Sequence, residues 1–128
     1  QGVELVWHAF DDMVGGEIYV KKIPSMRLTD IALTIAPDAK FDMVGIRPGE
    51  KLHEQMIGVE DSYHTYEYPE HFKILPAIHG WDQCPQRIQD GKKVADGFIY
   101  SSDNNTEWMS RESLQHWIDE NRHRMGKF

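Results

Sequence analysis

The sequence predicts an α+β domain. Three observations carry that expectation. Apolar residues recur at helical spacing in three separate stretches. Short runs of β-branched and aromatic residues lie between them. The two kinds of segment do not alternate as regular βαβ units. At 128 residues the chain has the length of one domain. That is enough to bury roughly two thirds of its unfolded surface.

Val3, Val6, Trp7, Phe10 and Val14 follow the 3.6-residue period, so residues 2–14 read as an amphipathic helix stopped by Gly15-Gly16. Glu17–Val20 is a short strand. Leu28, Ile31, Ala32 and Ile35 mark a second helix, with Asp30 favourable in its first turn. Pro37 ends it, because the residue before proline avoids the helical region. The apolar run Phe41–Ile46 reads as a buried strand. Arg47-Pro48-Gly49-Glu50 is a turn, and a short helix over 51–57 follows it. Residues 63–75 hold one or two strands, broken near Pro69. Residues 76–92 form a long loop, and Val94–Tyr100 is a further strand. Ser101–Thr106 is a polar turn. Leu114, Trp117, Ile118 and Asn121 define a last helix with Ser110 as its N-cap. Residues 122–128 read as a frayed tail after a domain spanning 1–121.

Composition narrows the function. Lys plus Arg is 14 and Asp plus Glu is 21, for a net charge of −7. Such a chain lacks the electrostatic footprint of a nucleic-acid binder. The longest strongly apolar run, Ile31–Ala36, falls far short of the about 20 residues that span a bilayer. The lone Cys84 excludes an intrachain disulfide and a cysteine-built zinc site, and it fits a reducing, cytoplasmic compartment. The seven histidines are scattered, so no metal site is expected. The chain opens on Gln1-Gly2 directly before a helical repeat, which reads as a piece of something longer.

Several catalytic signatures are missing. Neither phosphate-cradling glycine loop occurs, and neither does G-x-S-x-G or H-E-x-x-H. The positions four residues after each tyrosine hold Ile23, Glu67, Glu70, Phe72 and Asn104, so no Tyr-x-x-x-Lys pair is present.

Three segments carry chemistry. In Arg47-Pro48-Gly49-Glu50, proline fixes φ and glycine allows close backbone approach. Arg47 offers a fixed fork of donors for a phosphate, and Glu50 offers acceptors for sugar hydroxyls. A surface ion pair across the turn explains the same spacing. In Ser101–Trp108, asparagine amides can read a base edge and Trp108 can cover a ring. A plain turn beside a packed tryptophan is the alternative. Lys21–Met26 is either a solvated basic loop or a contact to a cofactor or neighbouring domain.

In order along the chain stand Gly16-Glu-Ile-Tyr-Val-Lys-Lys-Ile-Pro-Ser-Met26, Gly45-Ile-Arg-Pro-Gly-Glu-Lys-Leu-His-Glu54, Thr65-Tyr-Glu-Tyr68 and Asp103-Asn-Asn-Thr-Glu-Trp108. Together they resemble the C-terminal part of the inverting UDP-N-acetylglucosamine 4,6-dehydratases. These are extended short-chain dehydrogenase/reductases of the pseudaminic acid pathway. The resemblance covers roughly residues 1–121. The segment Arg47–Glu54 alone is shared with capsule-type dehydratases and epimerases.

The resemblance implies a small substrate-binding lobe whose Rossmann domain, with NADP, the Asp-Lys pair and Tyr-x-x-x-Lys, would precede Gln1. No cofactor is then expected on these residues, and the chain alone would be inactive. Arg47 matches the arginine on the UDP phosphates and Glu50 the acid on the ribose. Asn104, Asn105, Thr106 and Trp108 match a substrate-side loop. The implied partners are a UDP-sugar, the enzyme's own Rossmann domain and further copies of itself, with no nucleic acid or membrane. Two rivals remain: the same lobe of a 4-epimerase, and a non-catalytic oligomerisation module using the apolar stripes of residues 2–14 and 110–121.

Overall fold

The computed structural model describes residues 2–125. Helix α1 (Gly2–Asp12) leads through Gly15-Gly16 into strand β1 (Ile18–Lys21). Helix α2 (Leu28–Ile35) ends before Pro37, as its sequence requires. After a long extended stretch come β2 (Gln55–Ile57), the short helix α3 (Val59–Ser62), β3 (Thr65–Glu67) and β4 (His71–Ile74). A 3-10 turn (Trp81–Gln83), α4 (Pro85–Ile88), β5 (Lys92–Lys93), β6 (Tyr100–Ser101) and α5 (Arg111–Met125) complete the order.

The strands form two antiparallel sheets, so the α+β expectation holds. One sheet has the order β1-β4-β3-β5, with Tyr19 opposite Lys73 and Tyr66 opposite both Lys73 and Lys93. The other pairs β2 with β6 through an irregular register. Val20, Ile57, Phe72, Val94 and Tyr100 make one apolar core where the two sheets face each other, and Tyr66, Tyr68 and Leu75 make a second. Helix α5 packs on α2, and Arg111 donates to the Leu33 carbonyl at 3.0 Å. Ser110 caps α5 through the Ser113 amide.

Five expectations are corrected. Residues 41–46 are not a buried strand: no described strand pairs with them, and Met43 is 94% exposed. Hydrophobicity makes a strand only where a neighbour accepts its hydrogen bonds. The helix expected over 51–57 is replaced by β2, because Ser102 takes both the Glu54 amide and, through its own N–H, the Glu54 carbonyl. The strand expected over Val94–Tyr100 shrinks to β6, since Asp96-Gly97 turns the chain: Gly97 has φ +79° and Phe98 donates to the Ala95 carbonyl. The loop expected over 76–92 contains a 3-10 turn, α4 and the start of β5. The expected tail is helical through Met125; its residues 126–128 lie outside those described.

Candidate functional site

The loop after β1 and the strip from β6 to α5 are far apart in sequence, and the fold latches them together. The Tyr100 hydroxyl accepts the Ile23 amide at 2.9 Å and donates to the Ile23 carbonyl at 3.0 Å, across 77 residues. Asn105 Nδ2 donates to the same carbonyl at 2.7 Å and to Ser25 Oγ at 3.2 Å. Ser25 donates its amide to Glu107 O, and Met109 returns a bond to Ser25 O. Pro24, between them, has no amide to satisfy.

This latch forms one wall of a groove of about 200 Å³. Ile23, Pro24, Ser25 and Met26 line it together with Tyr100, Ser101, Ser102 and Asn105, and Glu54 and Met56 complete the lining. Glu54 is the only ionisable acid or base in the lining apart from the Tyr100 phenol. A groove lined by apolar surface, uncharged polar groups and one carboxylate suits a nucleoside-sized moiety, with the few polar groups fixing its orientation.

Arg47 and Glu50 stand side by side on an exposed turn that precedes the groove residue Glu54 in sequence. Their turn is closed by the bond from Glu50 N to Arg47 O, and Gly49 adopts φ +88°, the conformation a type II turn demands after proline. Glu50 Oε2 accepts the Arg47 amide at 2.9 Å, while the guanidinium lies 3.9 Å from Oε1. The Arg47 side chain is 80% exposed and therefore free to turn. Neither residue lines the groove. Three residues separate Glu50 from Glu54, at most about 14 Å of chain from one to the other.

The other expected residues play differing parts. Asn104 closes its own turn, accepting the Ser101 amide and donating to Ile99 O. Thr106 is exposed. Trp108 is 54% exposed, and its indole N–H donates to Asn105 O. The basic dipeptide does not line the groove: Lys21 pairs with Glu70 and Lys22 with Glu67.

Residues that the sequence reading passed over build a second polar centre beneath α1. Lys73, 1% exposed, donates to Asp12 and to the Arg87 carbonyl. Tyr19 and Gln89 also donate to Asp12. Arg87 pairs with Glu17 and stacks over Trp81. Burial pushes both carboxyls up, but hydrogen bonds outweigh it and hold both below the usual range. The donors are chiefly Lys73 and Tyr19 for Asp12, and the Gly15, Glu17 and Val14 amides with Arg87 for Glu17. Beside this centre lies a larger cleft of about 430 Å³, but Glu4, Asp12, Glu70 and Asp90 line it against Lys21 alone, which disfavours a diphosphate. Among the described residues no group of three or more His, Cys, Asp or Glu could hold a metal ion, and no helix is long and apolar enough to cross a membrane.

Comparison with known proteins identifies the family of the chain. Two UDP-N-acetylglucosamine 4,6-dehydratases (inverting), from two Campylobacter jejuni strains, are each 46% identical to it over 118 residues, 88% of this chain. The chain spans 35% of the length of either relative. The X-ray structure of Pen from Bacillus thuringiensis superposes with a TM-score of 0.74 at 25% identity, covering 95% of this chain and 35% of Pen. The family model for polysaccharide biosynthesis proteins matches residues 1–76, more than half of the sequence, and the chain belongs to that family.

Proposed function

We propose that this chain is the nucleotide-sugar-binding part of an inverting UDP-N-acetylglucosamine 4,6-dehydratase, a lyase of surface-glycan biosynthesis. The observation that carries the reading is the groove itself. Two segments about 80 residues apart, each bearing polar groups suited to a ligand, are tied into one hollow whose lining carries a single carboxylate, Glu54, and the exposed Arg47 lies seven positions before that residue. The identity to the two Campylobacter jejuni enzymes supports the choice of substrate.

In this reading the nucleoside sits against Ser25, Asn105 and Tyr100. Arg47 swings from its loose contact with Glu50 onto the diphosphate, where its forked donors match two oxygens. Glu50, released from the guanidinium, accepts ribose hydroxyls, and Trp108 and Thr106 close the outer side. With a net charge of −7 the chain repels an anionic sugar nucleotide at long range, so Arg47 must supply the attraction locally. Binding energy gathered at the nucleotide then positions the distant sugar. There the enzyme oxidises C4, eliminates water across C5–C6 and returns hydride to C6 with inversion at C5.

NADP does not fit the residues present here. Both sheets are antiparallel, and the sequence holds no glycine-rich loop between a strand and a helix start, so nothing forms a pyrophosphate cradle. The reading assigns the cofactor and the catalytic groups to a Rossmann domain elsewhere in the enzyme. That domain would cover the exposed Val3, Val6, Trp7 and Phe10 face of α1.

Calorimetric titration of the full-length enzyme with UDP, followed by product analysis on UDP-N-acetylglucosamine, tests this. The expected outcome is UDP affinity and a 4-keto product. UDP-N-acetylgalactosamine as product would establish the epimerase instead, and an absence of UDP affinity would end the reading.

A further inference from the structure

We infer that Tyr100 is a positioning residue for nucleotide binding, its hydroxyl clamping the Ile23 peptide so that the Ile23–Ser25 wall is set before the ligand arrives. This rests on the reading of the groove as the nucleotide site. The clamp is two-sided: one hydroxyl accepts from the amide and donates to the carbonyl of the same residue. Tyr100 can do this because its ring is fixed from behind. It is 9% exposed, packs against Phe72 with ring centroids 5.1 Å apart, and belongs to the apolar core. The ring therefore transmits the position of the core to the groove wall.

The Ile23 carbonyl also accepts from Asn105, so both of its lone pairs are engaged. Without the hydroxyl, the Ile23 amide loses its partner and the carbonyl keeps one. Neither bond is in the β1–β4 ladder, which ends at Lys21. The loop would then sample several conformations, and the ligand would have to order it on binding. Tyr100 is not required to touch the reacting sugar, so its effect falls on binding and not on turnover.

The test compares two isosteric variants in the full-length enzyme. Tyr100→Phe removes the clamp. Tyr66→Phe removes a hydroxyl bond of similar kind, from a similarly buried tyrosine to the Asp82 carbonyl, away from the groove. We expect Tyr100→Phe to weaken UDP affinity and raise KM about fivefold to tenfold, with kcat held within about twofold. Hydrogen exchange at the Ile23 amide should accelerate, while Tyr66→Phe leaves Kd and KM unchanged. Equal effects of the two variants, or unchanged affinity in Tyr100→Phe, would overturn the inference. A wild-type enzyme without UDP affinity would instead overturn the nucleotide reading beneath it. If Tyr100→Phe fails to fold, the wild-type enzyme carries the test: without UDP its Ile23 amide should already be protected from hydrogen exchange, and an unprotected Ile23 amide would overturn the inference.

Discussion

The two polar centres of this molecule solve opposite problems. Beneath α1, charged groups are buried and spent on one another: Lys73 on Asp12, Arg87 on Glu17. At the groove the latch is made of neutral groups, Tyr100, Asn105 and Ser25, and Arg47 on its separate turn is left in solvent. Buried ions hold three elements together but leave nothing for a guest. Neutral hydrogen bonds shape a hollow without filling it with ion pairs, which in the proposed reading leaves Arg47 to decide what binds. In the proposed reading the larger cleft, though roomier, belongs to the fold and the smaller groove to binding.

The comparison can be broken most forcibly at Lys73. Lys73→Met keeps the length of the side chain but leaves Asp12 enclosed without its cation. A loss of about 3–5 kcal/mol of stability is expected in urea unfolding. A loss below about 1 kcal/mol would show that the centre beneath α1 is not structural. Arg47→Ala reads the other side. It should raise KM for UDP-N-acetylglucosamine about 10-fold to 100-fold in the full-length enzyme, the worth of charged hydrogen bonds to phosphate. Its melting temperature should stay near wild type, because an exposed side chain is removed. An unchanged KM would remove Arg47 from the site.

Acid sharpens the contrast further. Asp12 and Glu17 ionise below their unfolded values of 3.8 and 4.5. The unfolded chain therefore binds more protons in that range. Their contribution is present above about pH 4.5 and is lost as pH falls through the native values. Melting temperature should drop steeply below about pH 4, and less steeply in Lys73→Met, where Asp12 has lost the partner that depresses it.

The smallest effect is expected at His71. Its ring stacks on Tyr68 at 4.7 Å, and its buried Nε2 has no hydrogen-bond partner. Burial, with the neighbouring His8, Lys73 and Lys21 and against the pull of Asp12, holds it down to about 4. The native ring stays neutral where the unfolded one, near 6.5, takes a proton, so stability declines as pH falls from about 6.5 towards 4. His71→Phe should keep the stacking, gain about 1 kcal/mol at neutral pH and flatten that decline. A variant no more stable than wild type, with the same slope, would show that Nε2 is satisfied in solution.

Much of this architecture was legible beforehand. α1, α2 and α5 announce themselves through helical spacing, Pro37 and the Ser110 cap, and the strands on either side of Pro69 through their β-branched and aromatic residues. The stretch 41–46 misled because an apolar run does not reveal whether a pairing edge exists. Residues 51–57 misled because Ser102, about 50 residues away, decides their backbone. The segments of the groove were visible as motifs, but their meeting was not, since nothing local links Ile23 to Tyr100. The ionic centre was invisible for a different reason: Asp12, Glu17, Lys73 and Arg87 look like ordinary surface charges until the fold encloses them.

Residues 40–56 are exposed without interruption. The part before them, α1 through α2, is held to the part after them by the β1–β4 ladder, the α2–α5 contact and the bonds onto Ile23 and Ser25. The strap adds length but few attachments. A protease that nicks it near Met43 should therefore yield two peptides that migrate together in gel filtration and separate only in denaturant, so the protein is in effect a ready-made pair of complementing halves.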